Sequence, residues 1–273
     1  MKKFLSVLLA LGLAVSATAC AGGASSSSEA ASSEPEATPA AESEAATSEA
    51  AAPTGEVMTY DEYMAAAVDE AVTIESCVQA KQSYYAEQGT ATVYLQDESG
   101  AYFAYDMACT QEEYDAMTEG TRIRVSGYKA EWSGEVEIMD GQLDEILEGD
   151  TYVAEPLDVT ELLGTDELES HQNEKVKFTG LTVAPSTIEG DTTEYAFLYN
   201  YDGSGTQGDD VYFNVEYNGE TYQFLVESYL CDSSTDVYKA VEALEIGQTI
   251  DCEGFLYWYE GVNPHITSVT VTG

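Results

Sequence analysis

Short runs of alternating apolar and polar residues dominate the chain from about residue 72 onwards. Val93 and Leu95 alternate with their neighbours, segment 97–100 has the composition of a tight turn, and Phe103 and Tyr105 continue the alternation. A period of two residues is typical of a strand with one buried face. The pattern therefore predicts a β-hairpin.

A helical segment and two more strands complete this first half. Residues 110–118 (TQEEYDAMT) offer Thr110 as a cap and place acids in the first turn, where the helix dipole favours them. Gly120 ends the helix, and apolar alternation resumes around 123–125 and 136–138. Three strands, a short helix and two strands are the order of a five-stranded Greek-key barrel, the OB-fold.

The second half repeats this order. Segments 211–215 and 222–226 flank Asn218-Gly219, and an Asn-Gly pair between alternating runs is the strongest short-range hairpin signal. Pairing residue 215 with residue 222 places both apolar sets on one face. A helix is predicted next, over residues 237–244.

Two stretches align without a gap, which indicates an internal duplication. Residues 120–134 (GTRIRVSGYKAEWSG) match residues 247–261 (GQTIDCEGFLYWYEG). Their second halves, GYKAEWSG and GFLYWYEG, are predicted as the bend between strands four and five, with glycines for a sharp turn. The predicted fold is all-β with short helices. Its parts are a helix in residues 56–71 and tandem OB-fold-like barrels in residues 72–150 and 157–273.

The first twenty residues have the layout of a secretory signal. Two lysines precede an apolar run, 4–15, which is too short to span a bilayer. Small residues 17–19 then precede Cys20, and this arrangement resembles the bacterial lipobox, in which the cysteine thiol receives a diacylglyceryl group. The same small residues also fit a cleavage site that would release a soluble protein. Residues 21–55 are rich in Ala, Ser and Glu and lack aromatic residues, so they predict a disordered tether.

These features together resemble a known class of proteins. The hairpin LQDESGAYF and the segment EGTRIRVSG are similar to those of bacterial OB-fold domains. A lipobox, an acidic linker and paired OB-like repeats are similar to surface lipoproteins of Gram-positive bacteria. The resemblance implies a protein held on the extracytoplasmic face of the cell membrane through Cys20, and it transfers no catalytic residue.

Charge and cysteine content narrow the expected partners. With 51 acidic and 9 basic side chains the formal net charge is −42, which repels phosphate, so the sequence predicts no nucleic-acid partner. An exported chain permits disulfides between Cys77 and Cys109 and between Cys231 and Cys252, and four separate thiols fit equally well. No CxxC spacing supports a zinc or redox site.

Aromatic residues in two loops of each barrel are the candidate binding surface. These loops, between strands one and two and between strands four and five, border the ligand face of an OB-fold. The candidate residues are Tyr84, Tyr85, Tyr128, Trp132, Tyr257, Trp258 and Tyr259. The alternative role of these rings is to close each barrel or to pack the barrels together. Tyr94 and Tyr102 are predicted opposite one another on the outer face of the hairpin.

Candidates for chemistry are weak. An insertion at residues 184–210 contains G-x-G-x-x-G, but a strand follows where a dinucleotide site needs a helix. Asp202, Asp209 and Asp210 could bind calcium there, although the spacing is not that of an EF-hand. His171 and His265 belong to no hydrolase motif and are predicted as surface or strand residues. No catalytic residue, metal or cofactor is therefore predicted.

The resulting functional prediction is a non-catalytic, lipid-anchored surface protein. Its ligand would be a glycan, a cationic peptide or another extracellular molecule, held by the aromatic loops and the insertion. Aromatic faces stack on sugars and attract cations. The alternative is a scaffolding lipoprotein without a small ligand, and an enzyme ranks third.

Overall fold

The computed structural model describes residues 55–273. The predicted signal peptide, the lipidation site Cys20 and all but the last residue of the 21–55 linker lie outside the described residues. Within the described part, no helix has the length and apolar character needed to cross a membrane.

Five strands form a first closed barrel. They are β1 (Ala71–Lys81), β2 (Thr90–Asp97), β3 (Gly100–Ala108), β4 (Arg122–Trp132) and β5 (Glu135–Ile146). Their order around the ring is β1-β2-β3-β5-β4, and β4 pairs with β1 to close it. Strand β3 runs parallel to β5. This is the OB-fold strand order.

Three short helices begin at threonine caps. They are α1 (Tyr60–Ala65), α2 (Gln111–Ala116) and α3 (Asp236–Glu242). The hydroxyls of Thr59, Thr110 and Thr235 each accept a backbone N–H of the first turn. Helix α1 is shorter than the predicted 56–71 segment, because Ala66 leaves the helical conformation with ψ 146°. The Lys129 ammonium then donates to the Ala66 carbonyl at 3.0 Å, which satisfies a carbonyl at this end.

The second barrel has the same order with added strands. Its elements are β6 (Leu157–Asp158), β7 (Lys175–Ala184), β8 (Ser186–Thr187), β9 (Glu194–Tyr195), β10 (Leu198–Tyr199), β11 (Val211–Tyr217), β12 (Glu220–Val226), β13 (Thr249–Phe255) and β14 (His265–Val271). Two 3-10 helices, Thr160–Leu162 and Leu168–His171, precede β7. Strands β7, β11, β12, β14 and β13 form the ring, which the β11–β7 pairing closes. Strands β8 to β10 lie in the predicted insertion.

The hairpin of β11 and β12 has the predicted register. Val215 pairs with Tyr222, and Asn218 and Gly219 both have positive φ, at 53° and 84°. Two successive positive φ values define the turn that suits the twist of a hairpin. With both barrels closed in OB order, the predicted fold class is confirmed.

A third apolar cluster joins the two barrels. Tyr94 and Phe103 of the first barrel pack on Phe255 of the second, and the Tyr94 and Phe255 rings stack at 4.6 Å. The prediction for Tyr94 and Tyr102 is therefore wrong. Tyr94 pairs with Phe103 and both face the other barrel, whereas Leu95 pairs with Tyr102 and both point into the first core. Both faces of the hairpin are buried, so the alternation has no solvated side.

The first glycine of each aligned octapeptide lies inside a strand, not at a bend as predicted. A Cβ on Gly127 would be 2.6 Å from Ile138 Cγ2, and one on Gly254 would be 2.2 Å from the His265 carbonyl oxygen. Both glycines thus permit the close passage of the barrel's last strand, β5 or β14. The turns themselves come later, at Gly134 and Gly261, where φ is positive.

Candidate functional site

A cleft of about 930 Å³ lies between the two barrels. Each barrel contributes five aromatic side chains to its walls. From the first barrel these are Tyr84, Tyr85, Phe103, Tyr105 and Trp132, and from the second Tyr201, Tyr212, Tyr229, Tyr257 and Tyr259. This volume lies in the range of small-molecule binding sites, which is roughly 300 to 1,000 Å³.

Exposed aromatic rings concentrate at this cleft. Among the described residues, seven aromatic side chains are at least 40% exposed, and six of these line the cleft. The six are Tyr85, Tyr105, Trp132, Tyr201, Tyr229 and Tyr259. The seventh, Tyr128, lies elsewhere on β4. Because large exposed apolar groups cost free energy in water, their clustering makes this cleft the candidate binding surface.

Hydrogen bonds between the barrels hold the cleft walls together. The backbone N–H of Ser83 donates to the Tyr229 carbonyl at 2.7 Å, and the Glu260 N–H donates to the Ser133 carbonyl at 2.8 Å. The Trp258 N–H donates to Glu135 Oε2 at 2.8 Å. These contacts join the strand one to two loop and the strand four to five turn of the first barrel to the second.

Five of the seven predicted binding residues line the cleft. They are Tyr84, Tyr85, Trp132, Tyr257 and Tyr259. Tyr128 does not reach it, and the Trp258 ring packs on Gly134, where an added Cβ would meet Trp258 Cδ1 at 2.8 Å. Trp258 therefore has the alternative role considered from the sequence, packing the barrels together. Both barrels therefore contribute predicted residues to the walls.

A β-bulge aims one wall into the cleft. The register of β2 with β3 shifts between Ala91 and Val93, opposite Tyr105 and Asp106. Asp106 has φ 44°, and its N–H donates to Thr92 Oγ1 at 3.1 Å. Bulges commonly redirect side chains in this way. The bulge thus adds Asp106 to the face of β3 that already carries Phe103 and Tyr105, and all three line the cleft. The alternation had placed Tyr105 on the buried face of the strand, which is wrong.

A buried histidine, His265, forms part of the cleft lining. His265 is 5% exposed, its Nδ1 lies 2.6 Å from the Tyr94 hydroxyl, and its ring stacks on Tyr257 at 4.3 Å. Burial lowers the pKa of His265 to about 3, so the ring is neutral at physiological pH. The sequence predicted His265 as a surface or strand residue, and it is the first residue of β14. Its ring supports the position of Tyr257.

Two carboxylates at the open end of the β11–β12 hairpin face the cleft, Asp210 just before β11 and Glu227 just after β12. Asp210 accepts hydrogen bonds from the N–H and hydroxyl of Ser228 at 2.9 and 2.7 Å. Glu227 accepts the backbone N–H groups of Tyr229 at 3.2 Å and Leu230 at 2.8 Å. Burial, with the nearby Asp210 charge, raises the pKa of Glu227 to about 7. Both carboxylates are thus fixed in position while one remains easy to protonate.

The cleft carries only one sign of formal charge. Its acidic residues are Asp106, Asp210 and Glu227, and its lining contains neither Lys nor Arg. The other polar groups are neutral amides and hydroxyls, such as Gln82, Gln223 and Asn263. Charge complementarity therefore favours a ligand group that is neutral or positive.

A second buried acidic pair lies where the turns of the two barrels meet. Glu135 is fully buried, and desolvation raises its pKa well above the usual range despite the hydrogen bond from Trp258. Burial likewise raises the pKa of Glu137 to about 7. These groups do not line the cleft, and they make the junction sensitive to pH.

The insertion does not gather its carboxylates around one point. Asp202 accepts the Ser204 N–H, Asp209 accepts the Thr206 N–H, and Asp210 turns into the cleft. Within residues 55–273, no three His, Cys, Asp or Glu side chains are grouped as metal ligands would be. All the cysteines of that range are free thiols: Cys77, Cys109, Cys231 and Cys252.

Several lining residues were not predicted. Tyr201 and Asp210 belong to the insertion, which was expected to contribute to the contact surface, though without these roles. Tyr212 alternates with buried Val211 and Phe213, so the period of two could have placed it outside the barrel. Glu227 and Tyr229 follow β12, and no sequence signal indicates that the first barrel packs beside them.

Comparisons with known proteins return weak likenesses only. No protein-family model and no curated protein matches the sequence. Similar solved structures include the p204 HINb domain, with TM-score 0.30 and 9% identity over 72% of this chain and 95% of that one. A murine DNA binding protein bound with double-stranded DNA has TM-score 0.33 and 12% identity, covering 74% and 96%.

A third structure is a Replication Protein A heterotrimer bound to single-stranded DNA. It has TM-score 0.27 and 12% identity, covering 74% of this chain and 49% of that one. Because these values are low, the fold assignment rests on the strand order. One prediction is corrected, however. The exclusion of nucleic acid on grounds of charge was wrong, since chains with this likeness are found in complexes with DNA.

Proposed function

We propose that this chain is a non-catalytic binding protein that takes an extracellular ligand in the cleft between its barrels. The observation that carries the proposal is the concentration of exposed aromatic rings: six of the seven in the described residues line this one cleft. A protein without a ligand has no need to keep these rings in water.

The surroundings of the rings support binding rather than chemistry. His265 is buried and neutral and stacks on Tyr257, and the carboxylates Asp210 and Glu227 are engaged by backbone and hydroxyl donors. No nucleophile stands beside a base in the cleft lining. Aromatic platforms with amide and carboxylate partners suit sugars, amines and peptides.

The proposed location of this binding protein rests on the sequence alone. Cys20 after small residues and an apolar signal supports a lipid anchor on the outer face of the cell membrane. Two acyl chains would hold it stably, since each buried CH₂ contributes about 0.8 kcal/mol. Mass spectrometry of the mature N-terminal peptide is expected to find a diacylglyceryl cysteine. An unmodified Cys20 or an N-terminal Ala21 would mean a secreted protein.

Binding is tested with the purified full chain on panels of glycans, cationic peptides and DNA oligonucleotides. For any compound that binds, Trp132→Ala is expected to weaken affinity by about tenfold or more, in line with the loss of a buried aromatic anchor. Tyr128→Ala is the matched control, because both residues are exposed aromatics of β4 and only Trp132 lines the cleft.

The competing function is a scaffold whose barrels pack together without a small ligand. The packing of Trp258 on Gly134 is the observation in its favour. It would be supported if no compound bound. Equal weakening of binding by Trp132→Ala and Tyr128→Ala would contradict a site in the cleft.

A further inference from the structure

We infer that the cleft selects a small organic cation bearing an alkylammonium group, held between the aromatic rings by the carboxylates of Asp210 and Glu227. This inference rests on the proposed function and names the ligand class of the same cleft. It follows from the rings, the charges and the rigid placement of both.

The aromatic rings of the lining form two groups. In the first, Phe103 lies 5.4 Å from Tyr257 in an edge-on arrangement and 6.5 Å from Tyr105. In the second, Tyr201 and Tyr212 meet at 6.4 Å and 78°. Rings at steep angles present both faces and edges to the space between them. Ring faces attract a cation, most strongly where the site is desolvated.

The charge of the cleft supplies the second requirement. Asp106, Asp210 and Glu227 face it, and no basic side chain among the lining residues competes with a bound cation. Two of these three carboxylates are held in position by hydrogen bonds. Ser228 holds Asp210, and two backbone N–H groups hold Glu227. A site that is fixed before binding loses less entropy when the ligand arrives.

Protonation of Glu227 couples binding to pH. Its pKa of about 7 comes from burial and from Asp210, so a cation nearby favours the ionised form and displaces the proton. The titratable groups that interact with Glu227 or share its surroundings are Asp210, Tyr212, Tyr94, Cys231 and the neutral His265. Burial raises the pKa of Tyr212 to about 12, that of Cys231 to about 11 and that of Tyr94 well above its usual value, and it lowers the pKa of His265 to about 3. These four groups therefore do not titrate near pH 7, and affinity is expected to rise as pH increases through about 7.

The test uses calorimetric titration of the full chain with choline, with spermidine, and with the uncharged isostere of choline in which carbon replaces nitrogen. Choline or spermidine is expected to bind at least about tenfold more tightly than the isostere. Glu227→Gln is expected to weaken that binding about tenfold and to abolish the rise in affinity between about pH 6 and pH 8. Tyr201→Leu should weaken it severalfold.

Glu161→Gln is the matched control for the general attraction of an acidic surface. It removes the same charge from an exposed residue outside the cleft, and it is expected to leave affinity within about twofold. Equal loss in Glu161→Gln and Glu227→Gln would overturn the inference, because binding would then be diffuse counterion attraction.

Other outcomes separate this inference from the proposed function. Equal binding of choline and its isostere would overturn the small-cation assignment. So would binding of a neutral glycan, of an oligonucleotide, or of a lysine-rich peptide alone. If such binding is lost in Trp132→Ala, the cleft remains a binding site. Failure of every probe to bind would overturn both.

Discussion

The two tryptophans lie one position apart in the aligned repeat and have different environments: Trp132 aligns with Tyr259, and Trp258 aligns with Glu131. Trp132 is 59% exposed in the cleft wall, whereas Trp258 is half-buried against Gly134 of the other barrel. The aligned stretches place both rings near the strand four to five turn. Whether such a ring meets a ligand or the neighbouring barrel depends on packing between barrels, which the repeat does not encode.

Acrylamide quenching distinguishes these environments. The variants Trp258→Phe and Trp132→Phe each leave one tryptophan, at 132 and 258 respectively. The Stern–Volmer constant of the first is expected to be severalfold higher, because collision requires exposure of the ring. Similar constants in the two variants would contradict the described packing of Trp258.

The site was only partly predictable at the level of single residues. Tyr84, Tyr85 and Trp132 could be identified from their loop positions, because the loops that carry them border the ligand face in any OB-fold. Tyr105 was assigned to the wrong face because Phe103, on the same face of β3, is buried against the second barrel and not in the core of the first. Glu227 had no signal at all, since its burial comes from the tertiary fold.

The strand that carries each octapeptide depends on a glycine within it. Gly254→Ala is expected to lower the free energy of unfolding by about 1–3 kcal/mol, because its Cβ would lie 2.2 Å from the His265 carbonyl oxygen and force β13 and β14 apart. Chemical denaturation of the full chain measures this change.

Gly141→Ala serves as the control. It also adds a methyl group within a strand, but its nearest neighbours, atoms of Met107, lie at 3.6 Å. Its effect is expected to stay below about 1 kcal/mol. A comparable loss in both variants would show that the close strand approach at Gly254 does not matter.

Most elements follow from local sequence signals. Threonine caps begin the helices, the Asn-Gly turn sets one hairpin, and alternation marks the strands. The assignment of β2–β3 residues to the two faces of the hairpin was wrong, because a reading from alternation assumes that one face is exposed to solvent. Here Tyr94 and Tyr102 lie on opposite faces, and both faces are buried. A closed barrel packed on a second barrel removes the solvated side from which the phase is read.

The junction between the barrels makes the stability of the whole molecule depend on pH. Glu137 and Glu227 are buried with pKa values of about 7, above the ordinary 4.5, so the folded state retains protons that the unfolded chain releases. Stability is therefore highest near pH 5 and falls as pH rises towards 7. Each group changes the free energy of unfolding by up to about 3 kcal/mol over this interval.

Denaturation midpoints between about pH 5 and pH 8 test this expectation. Glu137→Gln is expected to flatten the decline, since the amide cannot ionise. Glu161→Gln, which alters an exposed carboxylate, should keep the wild-type slope and so accounts for general charge repulsion. Carboxyls whose pKa is lowered, such as Asp191 and Asp202, oppose this trend only below about pH 4.5.

The contact of Trp258 with Gly134 is not reciprocal: nothing lies within 4 Å of a Cβ placed on Gly261, the matching glycine. A lone barrel using this contact would join its copies head to tail, and such heterologous association grows into open filaments unless its rotation closes a ring. When two barrels are joined in one polypeptide, this head-to-tail association stops after the first contact. Linking two copies in one polypeptide thus gives residues 55–273 an asymmetric cleft between unlike walls, and a ligand held there would be expected to bind with a stoichiometry of one.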